Sequence, residues 1–195
     1  MPQKRYAGYL VGALVVLMGL YIIVAYNGLV QKDTKVEQMW SEVQSVYQRR
    51  MDLIPGLVNV VKGVSDFEQT TLTQVTEARS MALSQQESAA LTADNYNKQA
   101  KLQDDLTAST GRLIIAVEKY PQLKGTAAYS ALQTQLEGTE RRIKVARNDF
   151  NEAVANYNGA VRSFPRNLVA ALLGFPPRDG FTAVEGADKN VEIKF

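Results

Sequence analysis

Hydrophobic and polar positions follow three regimes along this chain. Residues 6–26, YAGYLVGALVVLMGLYIIVAY, carry no charge. At about 1.5 Å per residue they reach roughly 31 Å as a helix, which matches the hydrocarbon core of a bilayer. A cleaved signal peptide has a shorter apolar stretch of about 7–15 residues. Ile23-Val24-Ala25 is also a poor small-x-small cleavage site. The pattern predicts a retained anchor, and no helix breaker separates it from the chain that follows.

From Val36 to Ala82 the apolar residues keep a seven-residue rhythm. One column reads Trp40, Tyr47, Ile54, Val61, Glu68, Val75, Ala82; a second reads Met39, Val46, Leu53, Val60, Phe67, Gln74, Met81. Val36, Val43, Leu57, Val64 and Ala78 add a third. Three adjacent columns make a face broader than a two-stranded seam, so the helix is expected to pack on several neighbours. Only Pro55 and Gly56 interrupt it. Proline removes one donor and crowds the carbonyl of Met51, which predicts a kink rather than an end.

The polar segment SQQESAALTAD (84–94) reads as a turn with a helix cap near Asp94. A second helix is expected from Asn95 to Lys119, with Leu102, Leu106, Leu113, Ile114 and Val117 inward. Tyr120-Pro121 stops it, because the residue before proline is pushed out of the α region. Gly125-Thr126 supplies a stop and a new cap. In the third helix Tyr129, Leu136, Ile143, Phe150, Tyr157 and Phe164 recur at intervals of seven. That spacing argues for a bundle or coiled-coil core. RNLVAALLG (166–174) reads as a short apolar helix, and the alternating VEIKF end as an extended edge.

These elements define an all-α chain: a membrane anchor over 1–28, a long antiparallel helical bundle over 29–164, and a short helix with an extended tail over 165–195. The first helix beyond the membrane would be about 80 Å long and the second about 38 Å. A hairpin of those two would leave Trp40, Val43 and Tyr47 uncovered, with the third helix heading away from the membrane. An exposed stripe of that kind is unusual for a monomer. The expectation is that other copies cover it. Gly8 and Gly12, spaced as a G-x-x-x-G pair in the anchor, point the same way, since small residues let transmembrane helices approach closely.

Composition narrows the chemistry. Lys+Arg 22 against Asp+Glu 20 leaves +2, with signs mixed along the chain. No basic block suggests nucleic acid. The chain has no histidine and no cysteine. That removes Ser-His-Asp arrangements, His and Cys metal sites, thiolate chemistry and disulfides. Glu137 with Glu140, and Asp104 with Asp105, read as solvated helix faces. The chain is therefore expected to be non-enzymatic, without cofactor or metal. Glu140, Arg147, Asn151 and Asn158 border the apolar column of the third helix, and Arg50 and Arg79 fall in or beside the core columns of the first. Buried charges must be paired, so an internal network that fixes helix register is expected. Lys4 and Arg5 before the span, against Lys32 and Lys35 after it, favour an N-terminus inside the cell.

Four blocks resemble the LemA family of bacterial membrane proteins: Trp40 with RRMDLIPGLVNVVKG (49–63), VTEARS (75–80), VEKYPQLKG (117–125) and LEGTERRIKVARNDFNEAVANYNGAVRSFP (136–165). They stand in the family's order, and GF (174–175) and VEIKF also match. Gly56 replaces the asparagine frequent in the family. The resemblance implies one transmembrane helix followed by a helical bundle, with no catalytic residues. It singles out Trp40, Arg50, Asp52, Pro55, Lys62, Arg79, Glu118, Tyr120, Pro121, Glu140, Arg147, Asn151 and Asn158 as structural or assembly residues. The expected role is a homo-oligomeric scaffold in the bacterial inner membrane that contacts lipid and other envelope proteins. The alternative is an adaptor for one partner, such as a membrane protease.

Overall fold

A computed structural model describes residues 3–63, 68–86 and 91–181, with side chains from Gly8 onward. Six helices make up the described chain: α1 (Gln3–Lys62), α2 (Gln69–Gln86), α3 (Ala93–Val117), α4 (Pro121–Lys124), α5 (Ala127–Arg162) and α6 (Arg166–Leu173). No strand occurs among the described residues. The alternating tail VEIKF lies outside them.

The apolar run does continue into the heptad pattern without a break, and Pro55 sits inside α1. The first long helix ends earlier than its periodicity indicates. A turn at Gly63 follows Lys62, and the chain then folds back. Glycine is a poor helix residue, and a lysine in the last turn suits the negative end of the helix dipole. Glu68 and Gln74, polar members of otherwise apolar columns, fall beyond that break. Arg79 Nε donates to the Met51 carbonyl and Gln86 Nε2 to that of Gln44, so α2 runs antiparallel to α1.

The chain divides into two compact units, Met1–Met39 with Asp149–Asp179, and Trp40–Asn148 with Gly180–Phe195. The second unit holds the main core, in which Met51, Ile54, Leu57 and Val61 of α1 pack with Leu72 and Val75 of α2, Leu106, Leu113 and Val117 of α3, and Tyr129 and Leu136 of α5. Thr92 caps α3, its side chain accepting from the Asn95 N–H. The Thr126 hydroxyl accepts from the Tyr129 N–H at the head of α5. In the first unit, Ala25, Leu29 and Val36 of α1 are buried, as are Phe150, Val154, Tyr157 and Val161 of α5 and Val169 and Ala170 of α6.

The fold-back at Gly63 adds one antiparallel pass, and this corrects the length arithmetic. α5 therefore returns toward the N-terminal part of α1 instead of leaving it. Trp40 (5% exposed), Val43 (0%) and Tyr47 (0%) are buried by their own chain, not left as an open stripe.

Gly111 in α3 and Gly138 in α5 have open space where a Cβ would stand. Helical glycine costs about 0.5–1 kcal/mol relative to alanine. Gly111→Ala and Gly138→Ala should therefore each raise the thermal midpoint in a calorimetric scan. A fall in midpoint would show that one of these positions is closely packed.

Candidate functional site

The most concentrated chemistry in the described chain is a polar seam inside the second unit. Arg50 of α1 is 3% exposed yet carries a full charge. Its Nη1 donates to the Gln103 carbonyl at 2.9 Å and to Gln103 Oε1 at 3.1 Å, while Nη2 pairs with Glu140 of α5. One guanidinium thus ties three helices, because its planar fork offers several donors in fixed directions. Burial presses the Arg50 pKa below its ordinary value, and Glu140 pulls it back up. Thr107 Oγ1 stands 3.4 Å from Glu140 Oε1 and donates to the Gln103 carbonyl at 2.9 Å.

One turn along α1, Arg147 of α5 repeats the device. Its Nε donates to the Tyr47 hydroxyl at 2.7 Å, and Nη2 donates to Asp104 at 2.9 Å and to the Ala100 carbonyl at 3.3 Å. The guanidinium also stands over the Tyr47 ring at 5.4 Å and the Phe181 ring at 5.7 Å, within range of a cation–π attraction. Beyond it Trp40 packs on Tyr96 at 5.7 Å and on Phe181 at 6.0 Å between ring centroids.

Burial of the Tyr47 phenol raises its pKa above the ordinary 10.0, although Arg147 works in the opposite direction. Tyr129 and Tyr157 shift upward as well, burial again being the largest cause. The folded chain therefore holds these protons more tightly than the unfolded chain. Stability should stay level below about pH 10 and decline as pH rises beyond it. Tyr47→Phe should cost about 1 kcal/mol at neutral pH through the lost hydrogen bond, and soften that alkaline decline. An unchanged alkaline limb in denaturant titrations across pH would remove Tyr47 from the explanation.

The structure brings together Arg50 with Glu140, and Tyr47 with Arg147. Arg79 fastens α2 to α1 through the Met51 carbonyl. Asn158 faces the first unit, where its Nδ2 donates to the Arg178 carbonyl and its Oδ1 accepts from the Arg178 N–H. Asn151 is half-buried on α5. Asp52 is exposed and accepts from Gln48 at 2.7 Å, and Pro55 is exposed on α1. Glu118 ends α3 and pairs with Lys124, both more than half exposed. Tyr120 precedes α4, and Pro121 takes its first position. Gly8 and Gly12 lie exposed on α1, with no atom within 4 Å of where their Cβ would be.

Gln99 (3% exposed) and Gln103 (0%) were not anticipated as interior residues. With Leu106, Thr110, Leu113 and Val117 they complete one helical stripe of α3, half of it polar. The spacing 99, 103, 106, 110, 113, 117 carries the signal, but an apolar criterion passes over it. Asp104 does lie on an exposed helix face, and from there it also pairs with Arg147. Asp33 and Arg178 form a second unexpected pair at 2.7 Å in the first unit.

Most of these polar groups bond to one another, while Arg50 Nε, Gln99 Nε2, Gln103 Nε2 and Thr110 Oγ1 are buried without a hydrogen-bond partner among the described residues. Among the described residues no group of three or more His, Cys, Asp or Glu side chains gathers to hold a metal ion. A surface groove of about 480 Å³ in the first unit, lined by Lys32, Lys35, Asp149 and Glu152, mixes both signs of charge.

In α1 a window with mean hydropathy 2.4 is long and apolar enough to cross a membrane, and only 6% of that window is buried. Comparison with known proteins agrees with the block pattern. The chain is 23% identical over 185 residues to magnetosome protein MamQ 2 of Paramagnetospirillum magneticum, covering 86% of this chain and 68% of that protein. It is 23% identical over 147 residues to protein LemA of Metamycoplasma hominis, covering 75% of this chain and 64% of the relative. A shorter match, 37% over 65 residues, links 33% of it to 24% of magnetosome protein MamQ of Magnetospirillum gryphiswaldense. Residues 39–195, spanning both arginine ties and the Trp40 cluster, match the LemA family profile, and the chain belongs to the LemA family.

Proposed function

We propose that this protein is a non-enzymatic, single-pass membrane scaffold of the bacterial inner membrane. Its span self-associates, and its bundle organises other envelope proteins. The observation that carries this reading is the unbroken α1, whose exposed apolar portion leads directly into a bundle tied by the buried Arg50 and the partly buried Arg147. α1 runs without a break from the apolar portion into the bundle, and the guanidinium groups of Arg50 and Arg147 are engaged in holding helices together. The family and relatives bear no enzyme names; three relatives are named for the magnetosome.

With Trp40, Val43 and Tyr47 covered by their own chain, the support for self-association rests on the span, where Gly8 and Gly12 leave an open face. Lys4 and Arg5 ahead of the span favour an N-terminus in the cytoplasm and a bundle on the far side. The test is the particle mass in lipid nanodiscs. The wild-type chain should run as a homo-oligomer, and Gly8→Leu with Gly12→Leu should shift it toward monomer. A monomeric wild type bound one-to-one to another envelope protein would replace the scaffold with an adaptor.

A further inference from the structure

The outer side of α6 is unlike the rest of the described surface beyond the span. Val169 and Ala170 are buried against the first unit, yet Leu168 (63% exposed) and Leu172 (77%) stand one turn apart on the opposite side. Leu173 is partly exposed, and Phe164, in the turn before α6, is 81% exposed. A short helix with apolar residues on both its faces is a poor arrangement in water. Arg162 and Arg166 flank this patch and are exposed.

Three contacts within the first unit fix the height of α6 along α1. Gly174 ends α6 in the left-handed conformation (φ 76°), which favours glycine. The next residue, Phe175, packs edge-to-face on Tyr26 with ring centroids 5.7 Å apart. Tyr26 closes the most apolar part of α1, just before Asn27 and six residues before the next charge, Lys32. Three residues further on, Arg178 pairs with Asp33, which is about 10 Å higher on α1. The chain therefore climbs away from the apolar span as it leaves α6. From the other side, the guanidinium of Arg178 stands over Tyr157 of α5, and α5 then descends about 7 Å to Arg162. Both approaches put α6 at the level where the apolar part of α1 ends.

We infer that the outer face of α6, formed by Leu168 and Leu172 with neighbouring Phe164, lies in the interfacial layer of the same bilayer that α1 crosses. The occupant of this patch is lipid. Apolar side chains reach the headgroup–acyl boundary, and Arg162 and Arg166 extend their charges to the headgroups, as interfacial amphipathic helices do. The protein then grips the membrane at two points, a span and a collar, and the collar restrains tilting of α1. This inference rests on the anchored reading of α1, and its test separates the two.

The chain has no cysteine, so single labels are specific. Leu172→Cys, Val16→Cys and Glu137→Cys would each be labelled with a polarity-sensitive fluorophore in the full chain. The chain would be reconstituted into phosphatidylethanolamine–phosphatidylglycerol vesicles carrying nitroxide lipids. The Leu172 label should emit to the blue and lose intensity to a nitroxide near the headgroup more than to one deep in the acyl chain. The Val16 label should favour the deep nitroxide, and the Glu137 label should respond only to aqueous iodide. A Leu172 label quenched by iodide as readily as the Glu137 label, with the Val16 label still in lipid, would overturn the collar and leave the anchor standing. An iodide-quenched Val16 label would overturn both.

Discussion

Trp40→Ala should cost the bundle about 3–5 kcal/mol, the usual range for deleting a large buried aromatic. In a chain of this size that corresponds to a fall of about 10 °C in the thermal midpoint. The argument starts from burial: Trp40 is 5% exposed and leans on Tyr96 and Phe181, which themselves pack with ring centroids 5.4 Å apart. Removing the indole opens a cavity that two rigid rings cannot readily fill. The neighbouring Arg147, held over the Phe181 ring, would lose a supporting wall. Trp40→Phe should recover much of the loss, since it keeps an aromatic body in the cluster. The measurement is circular dichroism melting in detergent, with oligomer mass followed in parallel. An unchanged midpoint with altered oligomer mass would mean that Trp40 is an assembly residue on the outside of the fold.

Glu140→Ala is the second large expected effect. Breaking a fully buried ion pair costs about 3–5 kcal/mol, because one charge is left uncompensated. Here the Arg50 side chain is 3% exposed but that of Glu140 is 43% exposed, so water replaces part of what Glu140 supplies. The cost should accordingly be about 2 kcal/mol. Arg50→Met combined with Glu140→Leu should be far milder than the sum of the single changes, since no buried charge remains. Stabilities from denaturant titrations of Arg50→Met, Glu140→Leu and the double variant complete the cycle. Additive losses would show that Arg50 is held by Gln103 alone and that Glu140 is incidental.

Much of the helical architecture was legible in the sequence because its signals are local. The charge-free run at 6–26, the Tyr120-Pro121 stop, the Thr126 cap and the seven-residue column of α5 each act within a turn or two of the chain. The break at Gly63 was harder to read. The apolar columns on either side of it share one register, since α1 and α2 face the same core. Pro55, the stronger breaker by composition, is tolerated inside α1. That single misplacement reversed the direction of α5 and made Trp40, Val43 and Tyr47 look exposed. The polar seam was only half visible. Arg50 and Glu140 stood out as charges among apolar residues, whereas Gln99 and Gln103 carry no charge and sit beside leucines. Their burial depends on which helices surround α3, and no local pattern reports that.

The account stands or falls on α1 being one continuous element, lipid-embedded at its start and folded into the bundle further on. Single cysteines placed at intervals from Leu10 to Gln48 in the cysteine-free chain, exposed to a membrane-impermeant maleimide in intact and opened cells, test that directly. The account predicts a protected window from Leu10 to about Val24. Labelling should return at exposed positions such as Thr34 and Glu37, from the extracytoplasmic side only. Uniform labelling along the whole of α1, or reactivity at Leu14 and Val16 equal to that at Glu37, would contradict it.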